Sequence, residues 1–417
     1  MKRMFLKKKM KLILEMKKRN SNLSLISNCS INNRAMYIIA LFILLINFIF
    51  PQIDQIKTKC IWISREDMIS KKSIEAALLF ASDSGFDKVF LQVRGRGDAF
   101  YNSEIIKKNT AIDTSFDPLE YSLKLGHSLD LEIHAWVNCY ILWSSNSSPK
   151  DKTHIFNTNP LWMEADIYGK SDSRIDLATP KSPTWEGIYI SPMNHEVNQY
   201  LREIIREIYE KYNIDGIHLD YIRYQDEFYG FHRNGRKEFD LLFGVDPLDI
   251  SRGVISTRYG WEQTYVDSIK MQWDEFKQQK ITELLEFINE DINLLDKNIA
   301  VSAAVKPNLI EAKNRWHQDW QDWLERDLVD FIVPMNYSSE LINFMTNIKI
   351  MKNNIPEYDI QKIFMGISVY NQSAESAVDK IFLARLNGFN GISIFSYGVH
   401  KDNLDWFNPI LESMKEP

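Results

Sequence analysis

The feature that most constrains the fold is a regular alternation of short apolar runs with longer amphipathic stretches, from residue 60 to the end of the chain. Short apolar runs are typical of buried parallel strands, and the stretches between them are typical of helices. The predicted strands are 60–64, 88–93, 132–137, 216–221, 299–304, 331–335, 363–368 and 391–395. The predicted helices lie near 70–84, 117–129, 195–212, 266–294, 318–326, 340–353, 373–387 and 402–414. Eight strand–helix repeats predict an α/β fold, a (β/α)8 TIM barrel over residues 60–417.

Two of the predicted strand-to-helix connections are unusually long, 139–193 after strand three and 222–265 after strand four. Both leave the carboxyl ends of strands, where barrel enzymes place their active sites, and loops of this length are usually functional. We expect these loops to form the walls of a groove that binds sugar rings on aromatic side chains. The aromatic residues in them are Trp143, Trp162, Trp185, Tyr189, Tyr224, Tyr229, Tyr259 and Trp261.

Polar side chains occupy the inward positions of several predicted strands. Side chains alternate between the two faces of a strand, so a barrel interior receives every second residue. This rule points Gln92, Arg94, His134, Trp136, Asn138, His218 and Asp220 inward and places Asn336 or Tyr337 at the mouth. Barrel interiors are normally apolar, so these residues indicate either a substrate-binding cup or a buried structural network.

Asp220 is the best catalytic candidate, because it ends the fourth predicted strand. Glycoside hydrolysis usually needs two carboxyl groups. We favour Asp319 as the partner, in a segment rich in tryptophan, and Asp98, Glu311 and Glu340 are the other candidates. We also expect Asp98, and Tyr221 and Arg223, which follow Asp220, to contact the substrate.

The charge distribution separates the first 50 residues from the rest. The chain has 50 basic and 56 acidic residues, of which ten and one lie in residues 1–50, so 40 and 55 remain in 51–417. So acidic a domain is a poor match for a phosphate backbone, which argues against a nucleic-acid partner.

The uncharged run 36–50 follows a basic head, residues 1–35, and precedes a linker, 51–59. It predicts a membrane anchor or signal segment, with the barrel exported and either anchored to the membrane or secreted.

Six segments of the chain carry recognisable motifs: 91–101 (LQVRGRGDAFY), 116–119 (FDPL), 134–138 (HAWVN), 215–224 (DGIHLDYIRY), 318–320 (QDW) and 333–337 (VPMNY). Together they resemble the motifs of the family-10 glycosyl-hydrolase-like proteins of bacteria. The resemblance spans the whole predicted barrel and implies a (β/α)8 fold and glycosidase activity. Members are associated with envelope glycans, including peptidoglycan stripped of its peptides.

A fainter similarity to family-eighteen chitinases covers the fourth strand. Asp215, Gly216 and Asp220 fit the chitinase motif, but His218 and Ile222 stand where those enzymes have acids. The proton donor of chitinase-type catalysis is therefore missing, and Asp220 is the one acid of that motif on the inward face.

Three functions compete at this point. The first is a glycosidase that acts on a cell-envelope polysaccharide, and the second is a glycan-binding barrel without catalysis. The third is a metal-dependent amidohydrolase or deacetylase, suggested by His134 and His218. We expect neither a cofactor nor a metal site, because Cys29, Cys60 and Cys139 show no zinc-type spacing.

Overall fold

The computed structural model describes residues 55–179, 185–295 and 297–415. The predicted basic head and the anchor or signal segment 36–50 lie outside these residues. Within the described ranges, no helix is both long enough and apolar enough to cross a membrane.

Eight parallel strands form a closed barrel. They are β1 (Thr58–Ile63), β2 (Lys88–Arg94), β3 (Glu132–Asn138), β6 (Gly216–Asp220), β7 (Ala300–Val305), β8 (Phe331–Pro334), β9 (Phe364–Ser368) and β10 (Gly391–Phe395). The strands neighbour one another in the order β8-β7-β6-β3-β2-β1-β10-β9. Parallel bridges Ile332–Ile363 and Met335–Gly366 join β8 to β9 and close the ring. The predicted (β/α)8 barrel is confirmed, and the eight predicted strands match these within two residues at either end.

Helices surround the barrel. In chain order they are α1 (Lys71–Asp83), α2 (Pro118–Ser128), α3 (Ile155–Thr158), α4 (His195–Lys211), α5 (Arg233–Phe243), α6 (Pro247–Ser251), α7 (Ile255–Tyr259), α8 (Gln263–Asn293), α9 (Leu309–Trp316), α10 (Trp320–Glu325), α11 (Leu341–Asn354), α12 (Glu357–Ile360), α13 (Ala374–Leu386) and α14 (Asn408–Met414).

Local sequence explains where these helices begin. At α2, the Asp117 side chain accepts a hydrogen bond from the Glu120 backbone N–H, and Pro118 occupies the first turn. This satisfies one of the free N–H groups at the helix start.

The barrel interior is packed with aromatic rings. Trp62, Phe90, Trp136, Phe331 and Phe364 are buried there as one cluster. His218 lies among them, stacked on Phe90 with ring centroids 4.0 Å apart. Its Nδ1 is 2.8 Å from the Ser302 hydroxyl. Gly391 of β10 leaves room for the Phe364 ring of β9, since a Cβ atom at Gly391 would lie 2.0 Å from that ring.

Gly216 provides such space for His134. A Cβ atom at Gly216 would lie 2.1 Å from Nδ1 of His134, well inside van der Waals contact. His134 is fully buried beside Phe90 and Phe331.

Each long connection contains secondary structure of its own. The connection after β3 contains an antiparallel pair, β4 (Ile141–Trp143) and β5 (Ile188–Tyr189), together with the short helix α3. The connection after β6 contains α5, α6 and α7. Both connections therefore build ordered walls beyond the carboxyl ends of the strands.

Candidate active site

A cavity of about 610 Å³ opens at the carboxyl ends of the strands. Its described lining comes from several strand ends and from the connection after β3. The lining residues are Trp62, Ser64, Arg65, Glu66, Gln92, Gly95, Arg96, Trp136, Asn138, Ile141, Ser144, Glu186, Asp220, Tyr221, Arg223, Lys306, Pro307, Met335, Tyr337, Tyr370 and Phe395. This is the end of a TIM barrel at which active sites occur.

Asp220 is the last residue of β6 and pairs in register with Asn138 of β3. Its side chain is almost completely buried, and Oδ1 accepts a hydrogen bond from the Tyr221 backbone N–H at 2.7 Å. Burial raises the pKa of Asp220 to about 6, and it outweighs the Tyr221 hydrogen bond and the Arg223 charge, which lower it. Asp220 therefore keeps its proton up to about pH 6.

Glu186 is a second carboxylate in the cavity, and it lies in the connection after β3. Arg223 Nη2 is 2.6 Å from Glu186 Oε2, and the Tyr189 hydroxyl donates to the same oxygen at 2.8 Å. Burial alone would raise the pKa of Glu186. The charges of Arg223 and Lys306 outweigh it and lower that pKa to about 2. Glu186 is therefore ionised wherever Asp220 titrates.

Lys306 follows directly after β7 and lies 3.8 Å from Glu186 Oε1. Burial and the neighbouring Arg223 charge lower its pKa to about 8, although Glu186 and Asp220 counteract this. Glu66, the third lining carboxylate, pairs with Arg65 at 3.0 Å. Its side chain is 62% exposed, so it lies at the rim.

Aromatic side chains form much of the cavity wall. Tyr337 and Phe395 stack with centroids 5.3 Å apart, and Trp136 packs edge-on against Phe395. Tyr370 is exposed and extends this surface, whereas Trp62, which packs against Phe395, is fully buried. Such apolar faces suit the C–H faces of sugar rings, while the carboxylates and cations offer hydrogen bonds to hydroxyl groups.

The structure brings many of the predicted site residues together in this cavity. The members that line it are Gln92, Trp136, Asn138, Asp220, Tyr221, Arg223 and Tyr337.

Other predicted inward residues lie in buried contacts outside the cavity lining. Arg94 is fully buried, and its Nη1 donates to the carbonyl oxygens of Asn138 and Cys139. His134 and His218 lie in the aromatic interior described above. Asn336 is also buried, and its Nδ2 donates to the Phe344 carbonyl. Burial lowers the pKa values of both His134 and His218, so both are neutral rings in the core.

The acids proposed as partners of Asp220 do not line the cavity. Asp319 precedes α10 and pairs with Lys313 at 2.7 Å. Asp98 accepts a hydrogen bond from the Arg96 backbone N–H, and Glu340 precedes α11. Glu311 lies in the first turn of α9. We therefore replace Asp319 with Glu186 as the candidate partner, because Glu186 lies in the cavity and shares cationic neighbours with Asp220.

The loop tryptophans are likewise absent from the cavity lining. Trp143 packs against His154, and its Nε1 donates to the Ser147 carbonyl. Trp162 donates to Glu196 at 2.7 Å and packs on Tyr200. Trp185 is partly buried against the core. The cavity's aromatic surface comes instead from strand ends and short loops.

Sequence reasoning missed Glu186, Lys306 and Arg96. Lys306 stands just beyond the fifth predicted strand, so the strand-end rule that selects Asp220 would also have selected it. Glu186 lies within a connection of over 50 residues, where no strand pattern points to it. The nearby aromatic residues Trp185 and Tyr189 are the sequence signal that could have drawn attention to it. Among the described residues, no group of three or more histidine, cysteine or acidic side chains is arranged to hold a metal ion.

Comparison with other proteins identifies the family to which the chain belongs. A family model described as glycosyl hydrolase-like 10 matches residues 57–383. Glycosyl hydrolase YngK of Bacillus subtilis is 21% identical over 304 residues, which cover 67% of this chain and 52% of that protein. Glycosyl hydrolase DigH of Escherichia coli O6:H1 is 25% identical over 266 residues, 61% of this chain and 55% of that protein. The chain spans about half the length of these curated relatives.

Solved structures share the barrel. The PgaB (BpsB) glycoside hydrolase domain of Bordetella bronchiseptica superposes with a TM-score of 0.65 at 11% identity, covering 86% of this chain and 99% of that one. Alpha-L-fucosidase isoenzyme 2 of Paenibacillus thiaminolyticus gives a TM-score of 0.58 at 12% identity, covering 87% and 49%. At these identities the likeness concerns the fold alone. On the strength of the family match, which covers most of the barrel, the chain is a member of the glycosyl hydrolase-like 10 family.

Proposed function

We propose that this protein hydrolyses O-glycosidic bonds in a polysaccharide of the cell envelope, with Asp220 as general acid and Glu186 as its ionised partner. The observation that carries the proposal is the opposite shift of two carboxyl pKa values in one cavity, to about 6 for Asp220 and about 2 for Glu186. Two acids whose environments separate their pKa values are the usual sign of an acid and a charged partner in catalysis.

The chemistry follows from these protonation states. Protonated Asp220 donates its proton to the glycosidic oxygen as the bond from that oxygen to the anomeric carbon breaks. The positive charge that develops on the sugar ring is stabilised by the ionised Glu186 carboxylate. The oxygen of a water molecule then bonds to the anomeric carbon, and the proton that this water loses passes to the Asp220 carboxylate, which restores the acid. Arg223 and Lys306 hold Glu186 in place and keep it charged.

The substrate proposal rests on the family and on the surface of the cavity. Aromatic rings beside charged hydrogen-bonding groups suit a sugar chain, and the matched relatives are named glycosyl hydrolases. Peptidoglycan glycan strands are the specific substrate that we propose, with the barrel outside the cytoplasmic membrane. The membrane and export part of this proposal rests on residues 36–50.

A screen of reducing-end release tests the activity. Purified peptidoglycan, peptidoglycan stripped of its peptides and chitin-like oligomers are incubated with the protein and with its Asp220→Asn variant. We expect release from at least one glycan by the parent protein alone. Release that is equal with both proteins would exclude catalysis at Asp220.

A glycan-binding barrel without catalysis is the second candidate. It is favoured by the contacts of Arg223 and Tyr189 with Glu186 Oε2, which leave that oxygen few free acceptor positions. Binding of these glycans without any release of reducing ends would favour this second function.

A further inference from the structure

A second cavity of about 610 Å³ lies between the two long connections and shares none of its described lining residues with the first. The connection after β3 supplies Leu161, Lys170 and Arg174 to its wall. The connection after β6 supplies Arg233 and Arg236. Neither the family match nor the proposed chemistry assigns a role to this cavity.

The charged side chains in its described lining are all basic. Arg236 is neutralised by Asp246, with Nε 2.8 Å from Oδ1. Lys170, Arg174 and Arg233 are exposed, and within the described ranges none of the three forms an ion pair with an acid. Among the described residues, the cavity therefore carries about three positive charges that are not held in ion pairs.

The lining histidine does not add to this charge. His232 is buried, its Nε2 is 2.9 Å from the Leu161 carbonyl, and its Nδ1 accepts from the Asn234 backbone N–H. One nitrogen donates and the other accepts, so the ring is neutral. Burial also lowers its pKa.

This concentration of charge runs against the composition of the domain, in which acids outnumber bases by 55 to 40 over residues 51–417. Like charges around one cavity repel one another, and an anion bound among them would offset that repulsion. Guanidinium groups bind carboxylates and phosphates through paired hydrogen bonds, which makes arginine the usual residue for such sites.

The second cavity is connected structurally to the active site. Gln225 Nε2 donates to Asp172 Oδ2 at 2.8 Å and to the Gly187 carbonyl at 3.1 Å. Asp172 begins the 3-10 helix that ends at Arg174, and Gly187 is the neighbour of Glu186. The two cavities thus flank the same hydrogen-bonded segment.

The surface beside the basic side chains is apolar. Leu161, in the lining, is 60% exposed, and Tyr168, next to the lining residue Gly169, is 73% exposed. An exposed aromatic ring beside unpaired cations suits a sugar unit that carries an acidic group.

We propose that the cavity around Lys170, Arg174 and Arg233 binds a carboxylate-bearing unit of a polysaccharide chain and holds that chain while another part of it occupies the active site. Only the link to cleavage rests on the proposed function, whereas anion binding stands independently of it.

The test compares a double variant, Arg174→Gln/Arg233→Gln, with a control, Lys72→Gln/Lys349→Gln. The control removes the same charge from two exposed lysines that form no ion pair within the described ranges. Binding to the full chain is measured by calorimetry with an oligogalacturonide and with a neutral cello-oligosaccharide of equal length. We expect the Kd for the acidic probe to rise at least about tenfold in the arginine variant alone, with no change for the neutral probe. The difference in Kd for the acidic probe between the parent and the arginine variant should shrink as the salt concentration increases.

Inorganic phosphate and phosphatidylglycerol vesicles serve as further probes. Equal oligogalacturonide binding by the parent and the arginine variant would overturn the proposal. Variant-sensitive binding of phosphate or vesicles without binding of the oligosaccharide would also overturn it, in favour of a small-anion or lipid site.

The two proposals fail separately. Variant-sensitive binding without glycan hydrolysis would leave the anion site standing and count against the glycosidase. Glycan hydrolysis by the parent, together with equal oligogalacturonide binding by the parent and the arginine variant, would support the glycosidase and count against the anion site.

Discussion

Arg223 Nη2 lies 2.6 Å from the Glu186 carboxylate, although the two residues are separated by 37 positions and belong to different strand connections. Arg223 is fully buried, while the Glu186 side chain is 36% exposed to the cavity. The pair therefore presents an ionised carboxylate to the same cavity in which Asp220 keeps its proton up to about pH 6.

Asp220→Asn should lower the rate of hydrolysis at least about a hundredfold, equivalent to about 2.7 kcal/mol of barrier. Asparagine keeps the shape and the acceptor for the Tyr221 N–H but has no proton to transfer. Activated aryl glycosides, whose leaving groups need no protonation, should lose much less rate than natural glycans. An equal loss on both substrates would show that Asp220 is not the acid, and a fall in melting temperature would indicate a structural role.

Glu186→Gln should also lower the rate, by about a hundredfold or more, because the developing positive charge loses its counter-charge. Asp319→Asn is the matched control, since Asp319 pairs with Lys313 outside the cavity lining. Steady-state kinetics on one glycan compare the two variants with the parent. A larger loss in Asp319→Asn than in Glu186→Gln would restore Asp319 as the partner.

The pH profile should show a high-pH limb controlled by Asp220. Its pKa is raised to about 6, so the protonated acid is present below that pH and disappears above it. We expect kcat/KM to fall about tenfold per pH unit above this point. In Asp220→Asn the residual activity should lose this limb. A parent profile that is flat between pH 5 and 8 would contradict the assignment.

Arg223→Gln should raise the pKa of Glu186, because the cation that favours its ionised form is gone. The low-pH limb of the kcat/KM profile should therefore move to higher pH.

The same substitution should also lower the stability of the fold. The free energy that ionised Glu186 contributes to stability is present above its unfolded pKa and is lost as pH falls, so the variant should lose this contribution at neutral pH. We expect the free energy of unfolding to fall by about 2 kcal/mol, less than for a fully buried pair.

Denaturant unfolding at pH 7 measures the loss of stability in Arg223→Gln. Arg326→Gln, which breaks surface pairs with Glu286 and Asp322, is the control and should change stability by less than about 1 kcal/mol. An unchanged low-pH limb in Arg223→Gln would mean that Arg223 does not govern Glu186.

Gly216→Ala should destabilise the barrel by about 1–3 kcal/mol, because the added methyl group would overlap the His134 ring and the Ala300 carbonyl. Gly244→Asn is the control: no atom lies within 4 Å of the site of its Cβ, and asparagine tolerates its positive φ. Thermal unfolding compares the two variants. Equal melting temperatures would show that the interior near His134 can expand.

The sequence by itself determined the barrel fold and those cavity residues that lie on the strands. Strand periodicity is a local property, so it was enough to place Gln92, Trp136, Asn138 and Asp220 on inward faces, and the cavity contains all four. The same periodicity also pointed Arg94, His134 and His218 inward. It could not show at what depth each would lie, because depth depends on the tilt and register of eight strands together.

Only the tertiary structure decided which acid accompanies Asp220 and where the aromatic surface lies. Glu186 reaches the cavity because Gln225 binds the Gly187 carbonyl and Arg223 binds the Glu186 carboxylate, contacts between segments that are far apart in the chain. In the sequence, Asp319 was as suitable a second carboxylate as Glu186, but in the structure it pairs with Lys313 outside the cavity lining. The basic cavity between Arg174 and Arg233 also depends on the packing of two long connections. Such contacts leave no periodic signal, since their free energy comes from side chains that meet only after the barrel has closed.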